Sequence, residues 1–270
     1  MDTSNDIRVQ SWDELNEVVF LDSWRDDLQR FRSPFAFRGL SDARYELLTS
    51  LMRMSGDYAR LEPAVLRNFR KYAVRDASPG ESIWSWLAVA QHHGLPTRLL
   101  DWSNSPYVAA HFATAELDKY DRDGVIWCVR VWEIQGRMPG VLRHSLEEEY
   151  AVLCSVDILA RVANSLPEFD RLAQEPFPVF FDPPALDERI VNQFALFSMM
   201  SSPTARLDHW LERHPEAYLR VVIPAETKWE IRDKLDQINM TERVLFPGLD
   251  GLSSWLKRYY SPRQTRPNTS

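Results

Sequence analysis

The sequence predicts an α+β protein in which a mixed β core is flanked by helices. Amphipathic helical segments and short strands rich in β-branched and aromatic residues follow each other along 270 residues without the regular βαβ spacing of a doubly wound sheet. The chain is 44% hydrophobic and contains 10 Trp and 13 Phe, which is enough apolar material for one large core or two smaller ones.

Local signals predict the elements in chain order. Ser11 and Glu14 have capping-box spacing, so residues 11–31 are expected to form one amphipathic helix that ends before Pro34. The stretch PFAFRGL at 34–40 is typical of a strand. Further helices are expected at 59–75, 82–93, 146–163, 226–238 and 248–260, and further strands at 124–132 and 218–224. These signals divide the chain into an N-terminal helical segment at 1–33, a main domain at 34–260 and a disordered tail at 261–270.

Composition and motifs exclude several classes of protein. The chain has no run of 18 uncharged apolar residues, and its start, MDTSNDIRVQ, lacks a signal-peptide pattern, so a cytoplasmic protein without a membrane partner is expected. The net charge of −7 argues against a protein that coats nucleic acid, although a small basic groove remains compatible with it. No GxGxxG, GxxxxGK[ST], GxSxG or HExxH motif occurs. Cys128 and Cys154 lack ligand spacing, so they are expected to be buried reduced thiols, and no metal is expected.

The stretch QHHGLPTRLLDWSNSP at 91–106 concentrates polar side chains between two predicted helices. Ser105 is a natural N-cap with Pro106 at the first helical position, and the free N–H groups there, beside Ser103, suit a phosphate or a ribose hydroxyl. His92 either bonds the last carbonyls of its helix or works with Asp101 to deprotonate an acceptor nucleophile.

Four blocks together resemble the FRG domain family, which is named for its Phe-Arg-Gly motif. They are Phe37-Arg38-Gly39, the segment QHHGLPTRLLDWSNSPYVAAHFA at 91–113, RIVNQFALF at 189–197 and LFPGLDGL at 245–252. The resemblance implies that the main domain at 34–260 is an FRG domain.

The same blocks are similar to the Arg, Ser and Glu elements of ADP-ribosyltransferases, in the same order. This resemblance implies an ADP-ribosyltransferase-like β core with NAD as a substrate. Arg38 would hold the NAD pyrophosphate or ribose and Ser103 would orient the nicotinamide ribose, with Arg98 and Ser105 as further NAD contacts. For Arg98 a structural ion pair, with Asp101 if the chain turns between them, is the alternative.

The third element departs from the transferase pattern. Gln193 stands where a Gln-x-Glu motif would begin, but Ala195 occupies the position of the glutamate, and alanine cannot stabilise an oxocarbenium-like state. Three alternatives stay open at this point. Another acid, Asp101, Glu188 or Glu226, reaches the site; or Gln193 positions the substrate while a different residue acts as base; or the fold binds a nucleotide without turnover. The expected catalytic residues are Arg38, His92, Asp101 and Gln193.

The expected function is therefore that of an NAD-dependent ADP-ribosyltransferase modifying a macromolecule, either RNA, DNA or protein. The resemblance implies a toxin or antiviral defence effector restrained by an antitoxin or inhibitor protein. The alternative is a non-catalytic module that binds a nucleotide or a partner. The cluster RNFRKY at 67–72 is either a solvated helix face or a track for a single nucleic-acid strand.

Overall fold

The computed structural model of the protein describes residues 5–263, apart from residues 55, 78 and 186. The strands are β1 Asp6–Arg8, β2 Trp24–Arg25, β3 Arg30–Phe31, β4 Phe35–Leu40, β5 Leu100–Ser103, β6 Gly124–Arg130, β7 Cys154–Ser155, β8 Pro178–Asp182, β9 Ala195–Met200 and β10 Tyr218–Ile223. The helices are α1 Trp12–Val19, α2 Tyr58–Ala73, α3 Ile83–His92, α4 Pro106–Ala113, α5 Val131–Gln135, α6 Gly140–Glu148, α7 Val156–Val162, α8 Leu166–Asp170, α9 Glu188–Asn192, α10 Leu207–Glu212, α11 Lys228–Gln237, α12 Glu242–Leu245 and α13 Leu249–Tyr259.

Eight strands form one mixed sheet in the order β1-β10-β6-β4-β5-β9-β8-β7, and β2 and β3 form a separate hairpin. The outermost pairs β1–β10 and β7–β8 are parallel, whereas the inner pairs are antiparallel. Helices pack on the sheet, so the α+β class is confirmed. Among the described helices, none has the length and apolar character needed to cross a membrane.

The two faces of the sheet bury different sets of helices. Along β6, Ile126 and Cys128 pack with α1, α4 and α11, whereas Val125, Trp127 and Val129 pack on the other face with α5 and α10. This division follows from the two-residue period of a strand. Helices α2, α3, α6, α7 and α8 form a further core with β8 and β9.

Four predicted elements are wrong in extent. The helix expected at 11–31 ends at Val19 and is followed by the β2–β3 hairpin, and the helix expected at 146–163 is divided into α6 and α7 by β7. Both breaks contain a residue with positive φ that is not glycine, Asp22 at 54° and Tyr150 at 51°, which a helix cannot accommodate. The strand expected at 124–132 ends at Arg130, where α5 begins, and the strand expected at 218–224 ends at Ile223.

The other predicted helices and the strand at 34–40 agree with the structure to within two residues at each end, but the segment at 1–33 is not simply helical, because it also contains β1 and the β2–β3 hairpin. Both cysteines are buried and free, and burial raises the pKa of the Cys154 thiol to about 12. Most of the tail expected to be disordered, residues 264–270, lies outside the described residues.

Gly39 fixes the distance between the sheet and α4. A Cβ at this position would overlap the Ala109 carbonyl oxygen and lie 2.7 Å from the Ala113 nitrogen. These are backbone atoms of a helix, so they cannot move aside as a side chain would. The glycine of the Phe-Arg-Gly motif therefore lets α4 approach β4 closely.

We expect Gly39→Ala to destabilise the protein by about 3 kcal/mol or more, because overpacking against backbone cannot be relieved by a rotamer change. Gly140→Ala is the matched control: nothing lies within 4 Å of its added carbon, and alanine in a helix should leave stability unchanged or raise it by up to about 1 kcal/mol. Urea unfolding of the two variants measures both values. Equal stabilities would contradict this account of Gly39.

Candidate functional site

The sheet parts between β4 and β5. Strand β4 pairs with β6 at six positions, but with β5 only at Phe37, which lies opposite Ser103. Beyond that pair the guanidinium of Arg38 donates to the carbonyl oxygen of Asp101. A side chain thus replaces the backbone hydrogen bond that a continuous ladder would supply, and an open cleft of about 230 Å³ lies at this position.

Four segments of the chain supply the walls of the cleft: β4, the end of α3, β5 with the following α4, and the α9–β9 connection. The polar side chains that line it are those of Arg38, Gln91, His92, Asp101, Ser103, Arg189 and Gln193. The cleft thus brings together Arg38, His92, Asp101, Ser103 and Gln193, five of the residues singled out from the sequence.

The protein provides hydrogen-bond acceptors for only some of the donors of the Arg38 guanidinium. Its Nε is buried and has no hydrogen-bond partner among the described residues. Burial lowers the pKa of the Arg38 guanidinium, and the charge of Asp101 opposes that shift. The group stays cationic at neutral pH, since arginine in proteins is effectively always protonated. The Arg38 side chain lines the cleft, so an anionic or oxygen-rich ligand there would contact the part of the guanidinium that faces the cleft.

The Asp101 carboxylate is exposed in the cleft, and one of its oxygens is fixed by a hydrogen bond from Gln91. Its Oδ2 accepts a hydrogen bond from Gln91 Nε2 at 2.9 Å, and Gln91 Oε1 in turn accepts one from the Thr97 hydroxyl at 2.5 Å. Asp101 therefore pairs with neither Arg98 nor His92 through its side chain.

His92 lies beside a carboxylate that the sequence did not point to. Its Nε2 is 2.5 Å from Asp187 Oδ2, while Asp187 Oδ1 accepts the Ile190 N–H at 3.0 Å as the N-cap of α9. His92 and Asp101 both line the cleft, but the carboxylate in contact with His92 is that of Asp187, and a joint role of His92 and Asp101 in deprotonating an acceptor stays a prediction. Asp187 carries a local N-cap signal, but the sequence gives no indication that α9 packs beside the end of α3.

Gln193 and Ser103 join the α9–β9 connection to β5. The Ser103 hydroxyl donates to the Gln193 carbonyl at 2.7 Å, and Gln193 Nε2 donates to the Leu245 carbonyl at 3.0 Å. Phe194 then turns the chain with φ 47°, and Ala195 pairs with Ser103 in the ladder. The Gln193 amide nitrogen is therefore engaged in holding the wall of the cleft.

Arg189 also lines the cleft. It lies in the first turn of α9, four residues before Gln193, which caps the C-terminal end of that helix and lines the cleft too. The Arg189 guanidinium lies 5.0 Å from the centre of the Phe246 ring and forms no ion pair with the described residues. It adds a second available cation to the cleft.

Three other candidates lie outside the cleft. Ser105 is the expected N-cap of α4, and its Oγ accepts the Val108 N–H. Glu188 is exposed on α9, and Glu226 is 73% exposed and 3.9 Å from Arg8 at the β1 edge. Of the three acids considered from the sequence, only Asp101 lines the cleft.

Arg98 does not reach the cleft, so its expected contact with NAD is wrong. It is 3% exposed and pairs with Glu62 and Asp170, both at 2.5 Å. Two carboxylates use its donors, because a buried guanidinium must be paired to offset the loss of its hydration. Arg98 is a structural residue that joins α2, α8 and the segment before β5.

The FRG domain family model matches residues 33–122, and the chain therefore carries an FRG domain in this region. The match covers β4, the cleft end of α3 and β5, but it does not reach α9 and β9. The expected extension of the domain to residue 260 stays a prediction. No curated protein and no solved structure matches the chain.

We expect Arg98→Met to lower the free energy of unfolding by about 3–5 kcal/mol, because it leaves the buried Glu62 and the half-buried Asp170 without their partner. Arg25→Ala, which breaks the exposed Arg25–Asp27 pair on the β2–β3 hairpin, is the control and should not change stability measurably. Denaturant titration of both variants tests the assignment. If Arg98→Met were as stable as the wild type, the structural role would be wrong.

Proposed function

We propose that the protein is an NAD-dependent ADP-ribosyltransferase that modifies a macromolecule. One observation carries the proposal: the Arg, Ser and Gln blocks, which are far apart in sequence, belong to the neighbouring strands β4 and β5 and to the turn that leads into β9. All three blocks line one cleft, in the arrangement that a single ligand contacting all of them requires.

The chemistry of the cleft is compatible with NAD. The Arg38 guanidinium lines the cleft and suits a phosphate or ribose oxygen, because charge-assisted hydrogen bonds to such groups are strong. Arg189 offers a second cation on the opposite wall. The volume of about 230 Å³ is below the roughly 300–1,000 Å³ of typical ligand pockets, so the cleft would hold only part of a dinucleotide.

In this proposal Asp101 provides the negative charge that a catalytic glutamate would supply and that alanine at position 195 cannot. In the proposed reaction the bond between ribose C1′ and the nicotinamide nitrogen breaks, and its electron pair leaves with nicotinamide. Asp101 stabilises the positive charge that develops on the ribose. The acceptor bonds to C1′ through an oxygen or nitrogen, and His92, oriented by Asp187, takes the proton that the acceptor loses.

The biological role follows from the same resemblance. We infer a cytoplasmic enzyme acting on RNA, DNA or protein, used as a toxin or antiviral defence effector and restrained by an antitoxin or inhibitor protein. Expression of the wild type should then impair growth, and Arg38→Ala should relieve the impairment.

Ala195 favours a second candidate, a non-catalytic module that binds a nucleotide or a partner. Ala195 lines the cleft opposite Ser103, and the Gln193 amide is already bound to the Leu245 carbonyl. Such a module would bind NAD or another nucleotide saturably without releasing nicotinamide.

Nicotinamide release separates the two candidates. We expect purified wild type to release nicotinamide from NAD when total RNA, denatured DNA or cell lysate is added, and Arg38→Ala to abolish the release because the ligand loses its cationic anchor. Asp101→Asn should slow it by about 10²–10³-fold, as for the loss of one electrostatic stabiliser. Glu188→Gln, a nearby acid outside the cleft, is the matched control and should be unchanged. Equal rates for Asp101→Asn and Glu188→Gln would contradict the role of Asp101.

Asp187 offers a sharper test of the His92 role. Asn is a good N-cap, so Asp187→Asn keeps the start of α9 while removing the carboxylate from His92. We expect acceptor modification to fall by about 10²-fold, in the range of general base catalysis, at unchanged thermal stability. Asp187→Ala should show the same loss and also lose about 1 kcal/mol of stability with the cap. Full activity of Asp187→Asn would exclude the pair from catalysis.

A further inference from the structure

Helix α2 presents a row of cations to solvent on one face. Arg60, Arg67 and Lys71 are all exposed and occupy positions i, i+7 and i+11 of the helix. At 100° per residue they lie within about 40° of each other around the axis, and at 1.5 Å per residue they extend over about 16 Å. These three residues are called the basic stripe below.

The charge of the basic stripe is not neutralised by the protein. None of its three members forms an ion pair with a described residue, whereas the buried Arg98 nearby is paired twice. The three cations therefore stand out locally from a chain whose net charge is −7. They give this face a local positive potential that an extended polyanion would match.

A groove runs beside the basic stripe. Its volume is about 330 Å³, and Arg67 and Arg70 line one side while residues 164–167 line another. Glu81 also lines it and contributes one negative charge. Tyr72 does not line the groove but lies at the C-terminal end of the stripe, where it is 74% exposed and the centre of its ring is 5.3 Å from the Lys71 ammonium. An exposed aromatic ring beside cations is the combination with which proteins bind single strands, because bases stack on the ring while phosphates contact the cations.

Helix α3 connects the groove to the cleft. Ile83 at its first position lines the groove, and His92 at its last position lines the cleft. Nine residues of α-helix span about 14 Å. Residues 84–90 of α3 are buried, so a strand would have to pass over the surface, and at about 3.4 Å per nucleotide it would need at least about four further nucleotides to reach the cleft.

We propose that the groove along the basic stripe binds single-stranded nucleic acid and presents a nearby nucleotide to the cleft. The proposal that a single strand binds here is argued only from the basic stripe and the groove. Only the role of the bound strand as the acceptor rests on the proposed transferase function.

Fluorescence anisotropy with labelled 20-nucleotide RNA, the same DNA sequence as a single strand, and its duplex tests the proposal on the full chain. The stripe variant is Arg60→Gln/Arg67→Gln/Lys71→Gln. The matched control is Arg143→Gln/Arg213→Gln/Lys257→Gln, which removes the same charge from three exposed cations on other helices and at their ends. Melting temperatures establish that both variants are folded.

We expect RNA or DNA single strands to bind the wild type, with an affinity at least about tenfold higher than that for the duplex. The stripe variant should bind single strands about tenfold or more weakly than the wild type. A plot of the logarithm of its association constant against the logarithm of the salt concentration should have a slope less negative by about 2, since each lost phosphate contact contributes about 0.7. Tyr72→Ala should weaken binding at least about fivefold. The RNA and DNA arms identify which nucleic acid is preferred.

Three results would overturn the proposal: no binding of either single strand, equal losses in the stripe variant and its control, or competition by poly-glutamate as strong as by unlabelled single strand. The last would point to an acidic protein partner instead. None of these readouts uses NAD, so failure of the transferase function and failure of this site are distinguishable.

Discussion

The close approach of α4 to β4 at Gly39 is the constraint on which the site depends. With no room for a Cβ, the backbone of α4 lies directly on the strand. Phe35, Phe37 and Gly39 face this helix, and the two-residue period leaves Arg38 on the other side of the pleat. The position of α4 in turn fixes the turn at residues 103–105 that precedes it. The glycine of the motif is thus a packing residue, and the arginine beside it directs a charged side chain to the cleft.

Arg38 also helps to hold β4 and β5 together at the place where their backbones no longer pair. Its contact with the Asp101 carbonyl spans the place where β4 and β5 no longer pair, and its Nε remains without a partner. A guanidinium can bridge the two strands and also bind a ligand because it has five donors in a fixed plane, whereas a lysine ammonium is a point charge. The cleft is therefore held open by the same group that would bind its ligand.

Features set by neighbouring residues could be predicted from the sequence. The strand carrying Arg38, the end of α3 before Gly94 and the Ser105–Pro106 start of α4 all rest on signals within a few residues. Partners distant in sequence could not be predicted. Asp187 is 95 residues from His92, and Asp170 is 72 residues from Arg98, and no periodicity links them. Breaks at Asp22 and Tyr150 were missed because neither residue is the glycine that usually marks positive φ.

A crystal structure of the protein with ADP-ribose would test the central claim, that the gap between β4 and β5 is a nucleotide site, most directly. The account predicts electron density in the cleft, with a phosphate or ribose oxygen within hydrogen-bond distance of the Arg38 guanidinium and the ribose beside Ser103. Density for ADP-ribose elsewhere on the molecule, with the cleft and the Arg38 contacts unchanged, would contradict it.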